Sequence, residues 1–181
     1  MAELIGEGIE RVPGAAARLR TVPRVFTNIG DEKAIPSEGP PYCELQDLVE
    51  CAGLALGSPT RFGNMAAPLK FFLDSTAAEW ASGSLVGKPA GCFVSTGTMH
   101  GGQESTLLSM QIPLLHHGML IVGIPFTEHA LHATTTGGSP YGATHVAGSQ
   151  GDRPISEHER DLARVLGRRV ADVARRLGAT P

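Results

Sequence analysis

The chain has 181 residues, 41% of them hydrophobic and 18% charged, with 23 glycines. That size suffices to bury a core without disulfides or a structural metal, so residues 1–181 read as one domain with many tight turns. A formal net charge of −3, without a basic block, argues against nucleic acid as a partner. Cys43, Cys51 and Cys92 lack C-x-x-C spacing, suggest neither a disulfide framework nor a zinc ribbon, and fit a reducing cytoplasm. The acidic start MAELIGEGIERV is unlike a signal peptide, and no apolar run approaches membrane-spanning length.

Leu4, Ile5, Ile9 and Val12 stand at helical spacing, which predicts a helix from almost the first residue. After Pro13-Gly14, Ala15–Phe26 reads as a strand, and the Pro- and Gly-rich stretch Gly30–Tyr42 as a loop. Cys51–Leu56 is apolar and runs into Gly-Ser-Pro-Thr, the pattern of a buried parallel strand entering a loop. Asn64 is expected to cap a helix over about Met65–Ala78, with Pro68 near its start. Lys88–Ser95 repeats the strand, followed by the loop STGTMHGG and a helix over Gln103–His116. Met119–Phe126 reads as a further buried strand, and Thr127–Gly151 as a long loop of functional or interfacial type. The last segment opens with Pro154 and a capping box of Ser156 and Glu159, and carries Leu162, Val165, Leu166, Val173 and Leu177 on one face.

Strands alternating with helices predict an α/β fold: a parallel sheet covered on both faces, with ligands at the carboxyl ends of the strands. Both Gly-rich loops fall there. In Gly57–Asn64, Ser58 and Thr60 offer hydroxyls and Phe62 an aromatic surface. In Ser95–Gly102, the glycines permit close backbone approach while Ser95, Thr96 and Thr98 offer hydroxyls. Together the loops suit a planar ligand with polar edges, although glycine content alone favours plain turns between strand and helix. Neither G-x-x-x-x-G-K-[ST] nor G-x-G-x-x-G occurs. One of His116 and His117 is placed to face the strand-end crevice, and packing is the ordinary role of a lone histidine. His129 and His132 have no third partner spaced to complete a metal site, so none is expected. A helix-end aromatic such as Trp80 ordinarily belongs to a core.

Taken in order, GSPTRFGNM, the FLD segment with Trp80, STGTMHGGQE, LLHHGMLIVG and SPYGATHVAG resemble the WrbA-type NAD(P)H:quinone oxidoreductases of the flavodoxin-like superfamily. The resemblance implies noncovalent FMN, NAD(P)H as electron donor, and two-electron reduction of a quinone in a ping-pong cycle. It also implies a homotetramer whose active sites involve neighbouring subunits, giving Thr127–Gly151 an interfacial role. Thr60, Arg61 and Phe62 match the first flavin-contacting loop, and Ser95, Thr96, Gly97, Thr98, Met99 and His100 the second. His116 matches a histidine beside the flavin, and Trp80 an aromatic lining the substrate face. The flavin carries the redox chemistry, so no catalytic side chain is required.

One departure accompanies the match. Relatives in that family begin with a central strand and a loop that holds the FMN phosphate at a helix N-terminus, and this sequence aligns from within the helix that follows. The expectation is therefore a flavodoxin-like sheet lacking its first strand and a site reduced to its isoalloxazine half. Two hypotheses follow: a start codon assigned too late in a complete quinone reductase, or a fragment acting as a non-catalytic binding or oligomerisation module.

Overall fold

The computed structural model describes residues 1–25, 36 and 38–178. The first helix, α1 (Ala2–Glu10), turns Leu4 and Ile5 into the core as the periodicity predicts. Residues 15–20 join no ladder, and one isolated bridge links Thr21 to Tyr42. The predicted strand over Ala15–Phe26 is thus corrected for its described part. Extended backbone becomes a strand only against a partner edge, and between these residues and the sheet lies a large, mainly apolar cleft. Phe26 and most of the predicted loop Gly30–Tyr42 fall outside the described residues.

Helix α2 (Leu45–Glu50) leads to β1 (Leu54–Arg61) and β2 (Asn64–Met65). Here the expected loop is itself a hairpin, because β1 continues through Gly57-Ser58-Pro59-Thr60 to Arg61 and pairs antiparallel with β2. Phe62 and Gly63 form its two-residue turn with φ of 52° and 75°. Two successive positive φ angles match the right-handed twist of a hairpin, but a bulky side chain seldom accepts one. Asn64 therefore lies in a strand and caps no helix; its Oδ1 accepts from the amide of Met65. The predicted helix over Met65–Ala78 divides into α3 (Ala67–Asp74) and α4 (Ala77–Ala81) at Ser75-Thr76. At that break the hydroxyls of both Ser75 and Thr76 bond back to carbonyls of α3, a local alternative to helical continuation.

Next come β3 (Pro89–Thr96) and α5 (Gln103–His116), both within a residue of the sequence reading. The predicted strand Met119–Phe126 keeps only β4 (Leu120–Ile121) in the ladder. Past it the chain peels off, and Ile124 donates instead to the carbonyl of Pro140. The long loop also holds structure: α6 (His129–Ala133) and β5 (Ala143–Val146). The strand β5 is four residues with no alternation, buried throughout, so hydrophobic period gave no sign of it. Finally α7 (Glu157–Arg176) starts at the expected Ser156–Glu159 capping box.

Parallel ladders join β1 to β3 and β3 to both β4 and β5. One apolar cluster, including Leu107, Met110 and Leu114 of α5, fills one face of the sheet; the other joins Leu4 and Ile5 to Leu162 and Leu166 of α7. Glycine permits the close crossing of α1 and α7: a Cβ on Gly167 would lie 2.0 Å from the carbonyl oxygen of Ile5. Of the predicted α7 face, Leu162 and Leu166 are buried, whereas Leu177 is exposed.

Candidate functional site

Because β1, β3 and β5 are parallel, with Pro59 opposite Ser95 and Thr96 opposite Val146, their carboxyl ends open at one pole. There the structure brings together the two predicted loops. A Cβ on Gly102, the left-handed residue preceding α5, would stand 2.8 Å from the Cα of Gly63, so the backbones touch where neither carries a side chain. The hydroxyls of Thr60 and Thr106 share a 2.6 Å hydrogen bond that fixes the hairpin to α5. In the second loop, Thr96 is buried and donates to the carbonyl of Thr98 at 2.7 Å, while the amide of Gly101 donates to the same oxygen.

These internal bonds leave Gly97, Thr98, Met99 and His100 exposed. Their four successive amides donate to no backbone carbonyl among the described residues. In the adjoining hairpin Phe62 stands fully exposed. An exposed aromatic held at positive φ is a local cost that a surface turn has no need to carry, and such strain collects where a ligand or interface is met. A strip of free N–H donors beside an aromatic face is the donor set for a flat ring bearing carbonyl oxygens and ring nitrogens. The isoalloxazine of FMN has that form, and the residues present fit it.

A third segment at this pole was not singled out as a site in the sequence. Ala147 donates to the carbonyl of Thr96 at 2.7 Å, and Gly148 adjoins Gly97. Its placement depends on Glu159, a buried carboxylate from α7. Glu159 Oε1 accepts from the amides of Gly137 (2.8 Å) and Val146 (3.0 Å); Oε2 accepts from the Ser156 amide (2.7 Å) and His145 Nδ1 (3.1 Å). Burial alone would raise its pKa, but these donors outweigh burial and hold it down to about 2. All three cysteines are free, and burial pushes Cys43 up to about 11 and Cys92 up to about 12. Both therefore stay protonated at neutral pH and are poor nucleophiles.

His116 and Trp80 lie elsewhere. His116 ends α5, whose 14 residues span roughly 20 Å from the loop pole. The following turn adjoins the start of β3, where Leu120 donates to Lys88. The expectation that one of the two histidines faces the strand-end crevice is corrected, because a helix following a parallel strand returns its far end to the opposite edge of the sheet. Trp80 joins His116 there, its Nε1 donating to the His116 carbonyl at 2.9 Å. Within this chain the predicted site residues thus form two groups, one at each pole.

The architecture is that of a flavodoxin-like α/β protein. It aligns with the crystal structure of the flavodoxin, WrbA-like protein from Agrobacterium tumefaciens at a TM-score of 0.62 and 24% identity, covering 96% of this chain and 87% of that one. In sequence, residues 31–130 match the family described as NADPH-dependent FMN reductase. The chain is 48% identical to an NAD(P)H dehydrogenase (quinone) of Solidesulfovibrio magneticus, across 99% of this chain and 92% of that protein. An NAD(P)H dehydrogenase (quinone) of Geotalea daltonii is 46% identical, across 98% and 90%. The chain belongs to the NADPH-dependent FMN reductase family.

Proposed function

We propose that this chain is an FMN-dependent NAD(P)H:quinone oxidoreductase. The observation that carries the reading is the contact of the Phe62 hairpin with Gly102, at the end of the loop whose Gly97–His100 amides are free, in a chain 48% identical to a protein named for that activity. When bound, FMN would supply two-electron transfer from NAD(P)H to quinone, in two half-reactions that share one site. Phe62 would cover the ring and the second loop would donate to its polar edge, with Thr60 and Arg61 holding the hairpin beside it.

On this reading His116 and Trp80, at the far pole of one chain, would meet this site from a neighbouring copy, in keeping with a homotetramer as the working form. Leu108, Ile112 and Leu115 are exposed at i, i+4 and i+7 of α5, an apolar stripe suited to contact between copies. Among the described residues no helix is long and apolar enough to cross a membrane.

The test is to titrate the purified chain with FMN and record its visible spectrum, then to follow NAD(P)H oxidation with benzoquinone. A perturbed flavin spectrum, quinone-dependent turnover and parallel double-reciprocal plots are expected. Turnover that ignores added FMN would overturn the reading. Trp80→Ala is expected to weaken quinone reduction by about tenfold while leaving FMN retention within about twofold, in line with the loss of one stacked aromatic. Equal loss of both would contradict the role given to Trp80.

A further inference from the structure

Helix α4 has five residues, none of them buried, so it has no apolar anchor of its own. What holds it is polar. The hydroxyl of Thr76, the residue preceding it, donates to the carbonyl of Leu73 at 2.7 Å and lies 2.9 Å from His117 Nε2. A hydroxyl has one proton, already given to Leu73, so Nε2 is the donor and Thr76 the acceptor. Both residues are buried, at 1% and 8% exposure. That assignment leaves Nδ1 as a bare acceptor, and it is buried with no partner among the described residues. Glu79 Oε2 is likewise buried and without a partner among the described residues. Two acceptors do not bond to each other, so Glu79 leaves the hold on α4 to Nε2.

The next residue is Trp80, whose indole is tied to the carbonyl of His116. Consecutive residues at the end of α5 therefore grip α4 twice: His116 accepts from the aromatic side chain and His117 donates to the residue that starts the helix. We propose that His117 is a positioning residue, fixing α4 through Thr76 so that the indole of Trp80 stands at a set angle to a bound quinone. The proposal rests on the role given to Trp80 above. His117 itself touches neither quinone nor flavin.

Trp80 is the only tryptophan, so its emission reports the effect without any cofactor. His117→Phe keeps a ring in place and removes the Nε2 donor; His117→Gln restores an N–H at nearly the same reach. In His117→Phe, Trp80 anisotropy is expected to fall and acrylamide quenching to rise. With FMN loaded, the KM for benzoquinone is expected to rise about tenfold, on the scale of one lost hydrogen bond to a buried partner, with FMN affinity unchanged. His117→Gln is expected to recover all three to within about twofold.

Unchanged anisotropy in a folded His117→Phe protein would overturn the proposal, as would equal loss of FMN binding and quinone reduction. Should His117→Phe not fold, Thr76→Val removes the acceptor at constant shape and carries the same expectations. The two readings fail separately: an unaltered quinone KM in Trp80→Ala overturns the role of Trp80, whereas the anisotropy response tests the grip of His117 on α4.

Discussion

Glu159 shows how far one side chain reaches beyond what its local pattern announces. Ser-x-x-Glu before an apolar stripe marks a helix start, and Ser156 and Glu159 form that capping box. The same carboxylate also gathers Gly137, His145 and Val146, tying the segment after α6 to α7 beneath the loop pole. Its pKa is depressed in the folded protein, to about 2 from an ordinary 4.5. The stability it confers is therefore fully present above about 4.5 and is lost as pH falls toward about 2. Glu159→Gln leaves amide protons facing donors in a buried network, and a loss of about 3–5 kcal/mol at pH 7 is expected. Urea unfolding checks this, and the gap from the parent protein should narrow below pH 4.5 as the parent carboxylate protonates.

At the level of elements, glycines inside helices have an unexpected part. Gly8 of α1 would place a Cβ 2.0 Å from the carbonyl oxygen of Arg164, and Gly167 of α7 one equally close to that of Ile5. Each helix thus presents a glycine to the other's backbone, and their crossing seats Leu4 and Ile5 against Leu162 and Leu166. A helix interior normally disfavours glycine by about 1 kcal/mol, so close packing must compensate. Gly167→Ala is expected to destabilise by about 1–3 kcal/mol despite the better helix former, because the helices must separate. A rise in the urea midpoint would refute this. The hairpin β1–β2 makes the opposite point. Glycine, serine and proline suggested a loop, yet the residues GSPTR are strand, since Gly57 to Pro59 pair in register with Phe93 to Ser95.

For the whole molecule, the decisive fact is that a parallel strand and its return helix separate the residues proposed for the site into two poles. Ile112→Glu places a charge in the middle of the exposed α5 stripe. It is expected to shift the particle to a smaller species in analytical ultracentrifugation and to lower quinone turnover at least tenfold, with the fold intact by circular dichroism. An unchanged assembly would separate that stripe from the interface. The α/β class, the long helices α5 and α7, the strand β3 and the second loop were legible in sequence, because each rests on local information: apolar period, caps and glycine-rich breaks. The strand β5, the separation of α3 from α4 and the partners of Glu159 were not, because each depends on a neighbour distant along the chain. By itself the sequence determined which residue types stand in the two segments at the strand ends, for type and spacing set what a segment can donate. Only the tertiary structure decided which of them meet, since the direction in which a helix returns across a sheet is a property of packing.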